Sequence, residues 1–197
     1  MKILAVADRV TPALLEPVHG GPCFSDIDLI ISCGDLPPEY LTGLKARFDL
    51  PLLYVLGNHD LRYTSSPPKG CQHIDRQIVR MLGLRIVGFS GSRWYNGNIN
   101  QYTEKEMSVF IRRLRLPLWL SGGMDLVVTH APPRHIHDAE DRCHKGFKSY
   151  RTLIDRYKPA YIVHGHIHNL FAHDSNRVTT VNTTRVINSY GYYTLEI

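Results

Sequence analysis

Residues 52–60 read Leu-Leu-Tyr-Val-Leu-Gly-Asn-His-Asp: five apolar residues, Leu52–Leu56, run directly into Gly57, Asn58, His59 and Asp60. The apolar run has the length and composition of a buried strand, and the polar quartet falls where that strand must end. The same arrangement recurs along the chain. Lys2–Ala7 runs into Asp8, Asp28–Cys33 into Gly34-Asp35, Asp125–Thr129 into His130, and Tyr161–Val163 into His164-Gly165-His166-Ile167-His168. Arg85–Phe89 is a further run of this kind. Helical segments are predicted at Glu39–Arg47, Asp75–Leu82, Glu104–Arg115 and Lys148–Tyr157. In the third, Thr103 and Glu106 have capping-box spacing, Met107, Phe110, Ile111 and Leu114 form one apolar stripe, and Pro117 forbids continuation. Phe171–Asp174, Arg177–Val181, Arg185–Asn188 and Tyr192–Ile197 read as short strands of an antiparallel meander. Strands alternating with helices, then strands alone, predict an α/β core with two sheets.

Ligand sites of α/β sheets collect at the carboxyl ends of strands. Five strand ends here deliver Asp8, Asp35, Asn58 with His59, His130, and His166 with His168 to one rim. Carboxylate, amide oxygen and imidazole together suit Mn, Fe or Zn better than Ca or Mg. Asp35, with two oxygens in a glycine-led turn, is the natural bridge between two ions. Two ions about 3.5–4 Å apart can hold both the attacking oxygen and the phosphoryl oxygens of an in-line displacement.

Taken in order, Asp8, Gly34-Asp35, Gly57-Asn58-His59-Asp60, His130 and Gly165-His166-Ile167-His168 resemble the signature of the calcineurin-like metallophosphoesterases. The resemblance covers most of the chain. It implies a four-layer α-β-β-α sandwich, two mixed sheets flanked by helices, as a single domain over residues 1–197 with no separate cap. It implies two divalent ions, one held by Asp35, Asn58, His130 and His166, the other by Asp8, Asp35 and His168. The nucleophile would be a metal-bound hydroxide. His59 would sit beside the scissile phosphate, as an imidazole with an unperturbed pKa of about 6.5 can, and Asp60 would orient it. One position departs from the family pattern. A histidine is expected two residues after Asp8, and Val10 stands there. The Asp8 side is therefore one donor short and should bind its ion more weakly, unless another residue of the Thr11–Ser25 loop, such as His19, replaces it.

A second stretch, His130-Ala131-Pro132-Pro133 with Asp138, Asp141, His144, Gly146 and Phe147, resembles a subgroup of small prokaryotic members. So does Gly91-Ser92 with Tyr95 and Gln101-Tyr102-Thr103-Glu104. Both stretches leave strand ends and should line the rim. Arg93, Arg134 and His144, with His137 and Lys145, are candidates to hold phosphate oxygens, and Trp94, Tyr95 and Tyr102 to stack on a base or sugar. His164 reads as a strand residue supporting the site.

The remaining arithmetic narrows the function. The 197 residues are 43% hydrophobic and 21% charged, which excludes disorder and fibrous classes. Four cysteines without a C-x-x-C pair argue against a thiolate zinc site and read as free thiols in a reducing compartment. No stretch is apolar enough for a membrane span or a signal sequence, so a cytoplasmic protein without membrane contact is expected. Of 11 histidines, eight lie from His130 onward. A net charge of +5 permits nucleic acid as partner, but a small phosphorylated substrate is favoured. The nucleases of this family carry an added capping domain for which no residues remain. The competing reading is a non-catalytic scaffold on the same fold, as in the family's retromer subunit, with Val10 the feature in its favour.

Overall fold

The computed structural model describes residues 1–16, 24, 26–169, 171 and 173–197. Among these residues, thirteen strands and four helices follow one another as β1 (Lys2–Ala7), β2 (Leu29–Ser32), α1 (Pro38–Phe48), β3 (Leu52–Tyr54), β4 (Gln72–His73), β5 (Ile78–Met81), β6 (Leu84–Phe89), β7 (Ser92–Arg93), β8 (Gln101–Tyr102), α2 (Glu104–Arg113), α3 (Arg115–Ser121), β9 (Leu126–Thr129), α4 (Lys148–Tyr157), β10 (Tyr161–His164), β11 (Val178–Val181), β12 (Thr184–Asn188) and β13 (Gly191–Glu196). They build two mixed sheets, ordered β13-β1-β2-β3-β4 and β11-β12-β10-β9-β6-β5, and a β7-β8 ribbon. In the first sheet β1, β2, β3 and β4 are parallel and β13 is antiparallel to β1. In the second, β12, β10, β9 and β6 are parallel and the two edge strands, β11 and β5, are antiparallel.

The period-2 alternation of strands sorts the apolar residues into layers. Ile3, Ala5 and Ala7 of β1, with Leu29 and Ile31 of β2, face Ile86, Leu126, Val128, Val163 and Ile187 of the second sheet. Their neighbours in sequence, Leu4, Val6 and Ile30, point the other way, onto Tyr40, Leu41 and Leu44 of α1. On the far side Val87, Phe89, Val127 and Ile162 receive Met107 and Ile111 of α2 and Leu153 and Ile154 of α4. The result is helix, sheet, sheet, helix, as the resemblance implied. Because β1, β2, β3, β9 and β10 are parallel within their sheets, their carboxyl ends meet at one edge. Asp8 N–H donates to Gly34 O at 3.1 Å and Gly165 N–H to His130 O at 3.0 Å. These two bonds link neighbouring strand ends within each sheet.

Four expectations need correction. Asp75–Leu82 is no helix: β5 and β6 form an antiparallel hairpin, with Leu82 and Gly83 both at positive φ (50° and 84°), the backbone that a tight two-residue hairpin turn requires. Pro117 does not end the helical region. α2 stops at Arg113, and α3 restarts with Pro117 in its first turn, where a missing N–H costs nothing. The C-terminal strands are not one meander, because β11 and β12 join the second sheet while β13 crosses to pair with β1 of the first. This pairing brings Met1 and Ile197 together, 196 positions apart, through a 2.8 Å bond from the Met1 amino group to Ile197 O. Phe171–Asp174 is not described as a strand: Leu170 and Ala172 lie outside the described residues, and Asp174–Arg177 is a 3-10 turn.

Candidate metal centre

Asp35, His130 and His166 each offer one donor atom within 4.8 Å of the others, the one such group of acidic, thiol and imidazole side chains among the described residues. The His130 ring is fully buried, with Nδ1 2.8 Å from Cys33 O. Only an Nδ1–H can donate to a carbonyl, so Nε2 is the inward-facing nitrogen. It meets Asn58 Oδ1 at 3.0 Å and Asp35 Oδ2 at 3.3 Å. The Asn58 amide is oriented from its other end, where Nδ2 donates to the Tyr95 hydroxyl at 3.2 Å. His166 Nε2 donates to Cys143 O at 2.9 Å, which leaves Nδ1 as its ligand atom. One carboxylate oxygen, one amide oxygen and two imidazole nitrogens therefore converge from four strand ends.

The electrostatics match this donor set. Burial pushes the Asp35 carboxyl up, but the charge and hydrogen bond of His130 and the His59 amide outweigh it, and it is held at about 2. Burial pushes His130 down, but Asp35 lifts it to about 9. The protein without ions thus keeps an Asp35–His130 ion pair, and His130 must release its Nε2 proton before that nitrogen binds a cation. Burial, reinforced by the His130 charge, drives His166 to about 3, so it is neutral with a free lone pair.

Asp8 and His168 form the other half. The buried Asp8 carboxylate takes the His166 N–H at 2.9 and 3.1 Å and lies 3.3 Å from His168 Nε2. His168 is half-exposed and stacked on Tyr190, with ring centres 5.0 Å apart. Val10 is solvent-exposed at 39%. His19 lies outside the described residues.

The local backbone serves these positions. Asp8, Asp35 and His166 hold φ of 62°, 55° and 67°, the left-handed region that costs a non-glycine residue about 1–2 kcal/mol. Three of the six candidate ligands share that strain at one rim, as is common at binding sites. The glycines beside them leave room. A Cβ on Gly57 would collide with the Asp35 carboxylate, and one on Gly165 would lie 2.5 Å from Asp8 Oδ2 and 2.7 Å from the Ala7 Cβ.

The other predicted site residues divide. His59 is exposed, and its backbone N–H donates to Asp35 Oδ1 at 2.8 Å. Asp60 makes no hydrogen bond to His59. Its buried carboxylate accepts from Gly57 N at 2.7 Å and Asp35 N at 2.9 Å, so it braces the two ligand loops instead of orienting the imidazole. Burial, then the Asp35 charge, raises it to about 6 against those amides. Arg134 is no free rim cation. Its side chain is 9% exposed and held by Asp138 at 2.6 Å and Glu140 at 2.7 Å. Arg93 bonds Glu104 at 3.2 Å and lies 6.0 Å over the Phe147 ring. His137 pairs with the buried His164 through Nδ1 and Nε2 at 2.9 Å, and Lys145 forms an ion pair with Glu140 at 3.6 Å. Tyr102 packs edge-on against Phe110 and Trp94 is exposed. His144 does reach the centre, with its ring centre 5.3 Å from His166 and 6.5 Å from His168. Sequence reasoning missed the carbonyls of Cys33 and Cys143, for which side-chain identity carries no signal. It also took Tyr95 as a stacking ring, not as the anchor of Asn58.

This architecture has counterparts. TT1561 of Thermus thermophilus superposes with a TM-score of 0.64 at 15% identity, covering 96% of this chain and 88% of that one. The calcineurin-like phosphoesterase YfkN of Bacillus subtilis gives 0.57 at 13% identity, covering 95% and 80%. At these identities the likeness is one of fold. No curated protein matches the sequence. The model of the calcineurin-like phosphoesterases matches residues 1–170, which span every strand end of the rim, and the chain belongs to that family.

Proposed function

We propose that the chain is a metal-dependent phosphoesterase for a small phosphorylated substrate. The observation that carries this reading is the convergence of Asp35, Asn58, His130 and His166 donors, with Asp8 and His168 adjoining, on a rim whose backbone is strained at three of them. Hard and borderline donors in that mixture fit Mn, Fe or Zn. Divalent ions held there would polarise phosphoryl oxygens and lower the pKa of water at the site. His59 is the residue left for proton work. Its backbone is fixed by Asp35, its ring has no hydrogen bond among the described residues, and it lines a cleft of about 230 Å³ with Asp35, Arg62 and Tyr63. Placed there, an imidazole can protonate the oxygen that leaves phosphorus. Asp60 keeps the Gly57 and Asp35 amides satisfied, so the loop that presents His59 and Asn58 stays in register with the loop that presents Asp35.

Hydrolysis of an aryl phosphate monoester and an aryl diester, assayed with Mn, Fe or Zn added, tests the reading. His59→Ala should retain metal content and lose about 10²- to 10⁴-fold in turnover. Full turnover in that variant would remove His59 from the chemistry. No turnover of either ester type with any of these ions would favour the scaffold reading, for which Val10 is the supporting observation.

A further inference from the structure

α3 presents an apolar face that nothing in the fold covers. Its inner side is anchored by Leu118, which belongs to the core between the second sheet and α2. Leu116, Trp119 and Leu120 stand at i, i+3 and i+4 on the outer side, exposed at 64%, 77% and 69%. No other large apolar side chain among the described residues is as exposed. Contiguous apolar surface of this kind marks a contact. The charge beside it is basic. Met107–Met124 holds Arg112, Arg113 and Arg115 and no acidic residue. α4 adds Arg156 across a hollow of about 580 Å³ that Arg115, Leu116 and Trp119 also line. Arg112, Arg115 and Arg156 line an adjoining hollow of about 180 Å³ with Ile111 and Leu153. None of these four arginines has an acidic partner among the described residues. The acids at the margin are engaged elsewhere: Asp125 holds Arg85 at 2.5 Å, and Asp155 accepts from Asn182 at 3.3 Å.

We propose that this face docks on the surface of an anionic membrane, with Leu116, Trp119 and Leu120 entering the headgroup boundary and Arg112, Arg113, Arg115 and Arg156 meeting lipid phosphates. A short amphipathic helix with Trp and Leu on one side and arginines around it is built to lie in that boundary. The indole has an apolar body and one N–H for the wet side, and arginine reaches outward from an apolar stem. Side chains that project this far enter a deformable surface directly, whereas a protein partner would need a matching hollow for each. A second copy set face to face would bring the arginines of both chains together, which like charge opposes. α3 leads through Gly122 and Gly123 to the amino end of β9, and α4 leads to the amino end of β10, while His130 and His166 lie past the carboxyl ends of those strands. The docking face is therefore at the edge of the sheet away from the metal rim and leaves the rim open to solution. No helix among the described residues is long and apolar enough to cross a membrane. Lying on one needs no such helix, so the expectation of no membrane contact, which rests on spans and signal sequences, does not bear on this face.

Co-sedimentation with vesicles of phosphatidylcholine alone, and of phosphatidylcholine mixed with phosphatidylglycerol, tests the proposal. The wild type should partition onto the mixed vesicles only, and less as salt is raised. Trp119→Ala combined with Leu120→Ala should weaken that partition by about tenfold or more. Arg115→Gln and Arg156→Gln should each weaken it by about fivefold. Lys69→Gln, an exposed site beside Thr42 of α1, should leave it unchanged. Trp94→Phe leaves Trp119 as the single tryptophan, and its emission should shift to the blue on the mixed vesicles. All the substituted apolar and basic side chains of the face are exposed, and circular dichroism confirms that each variant is folded. Equal binding to both vesicle types, undiminished binding of the Trp119 and Leu120 variant, or an unshifted Trp119 emission overturns the proposal. No binding of the wild type overturns it and leaves the face to an acidic protein. A dimer in sedimentation equilibrium that the Trp119 and Leu120 variant loses overturns it in favour of a second copy.

Discussion

Asp8, Asp35 and His166 sit in backbone conformations that glycine would adopt more readily, yet each carries a donor aimed at the rim. Glycine stands one residue away, at Gly34, where a Cβ would strike the Gly57 backbone, and at Gly165, where one would strike the Asp8 carboxylate. Gly165→Ala should therefore push a methyl into the Asp8 carboxylate and impair ion uptake on the Asp8 side far more than on the His130 side, as metal titration of the folded variant would show. Asp60 argues similarly. Asp60→Ala leaves the buried amides of Gly57 and Asp35 without an acceptor, at about 1–3 kcal/mol each. Chemical denaturation should show a loss of that order, together with weaker ion binding. That Asp8, Asp35, Asn58, His130, His166 and His168 lie just past strand ends was legible, because each comes shortly after an apolar run. The roles of Asp60 and Arg134 were not, since both act through bonds to backbone or to distant carboxylates that spacing along the chain does not encode.

At the scale of elements, strands buried on both faces were the easiest to read. β1, β2, β3, β6, β9 and β10 lie within one or two residues of their apolar runs. α4 coincides with its amphipathic stretch, and Thr103 and Glu106 exchange the expected bonds at the start of α2, at 2.8 and 3.2 Å. Thr103→Ala should remove this box and cost about 1 kcal/mol, read as a thermal midpoint lower by about 2–4 °C for a chain of this size. A larger shift would point to a tertiary role for Thr103. The misread elements are those whose state is set from outside. Ile78–Met81 has an apolar spacing compatible with helix, and only pairing with β6 makes it a strand. Pro117 breaks a helix in the middle but opens one at the start, and sequence alone does not say which turn it occupies. The short β4, β7 and β8 carry too few residues to show any period.

For the molecule as a whole, burial of neutral imidazoles ties stability to pH. Burial holds His137 below its ordinary value, and burial with the His137 charge holds His164 well below it. The unfolded chain, with imidazole pKa of about 6.5, takes these protons more readily. Their contribution is thus complete above pH 6.5 and is lost as pH falls below it. His130, lifted by Asp35 against its own burial, and His168, lifted by its bond to Asp8, act in the opposite sense. A comparison with His137→Gln isolates the first effect. The thermal midpoint of the ion-free wild type should fall more steeply between pH 7 and pH 5 than that of the variant, and parallel curves would refute it.

The pairing of β13 with β1 also sets an order of events during synthesis. β1 emerges from the ribosome long before β13 and carries Asp8 at its end, but its antiparallel neighbour spans residues 191–196. Until those residues are made, one edge of β1 has no hydrogen-bond partner and Ile3 and Ala5 lack Leu195 from their layer. Contacts between positions so far apart form slowly. Nascent chains stalled before residue 191 should therefore be cut by protease near β1, whereas chains in which residues 191–196 have emerged resist. The ion-binding rim would then mature only after translation has passed every residue that contributes to it.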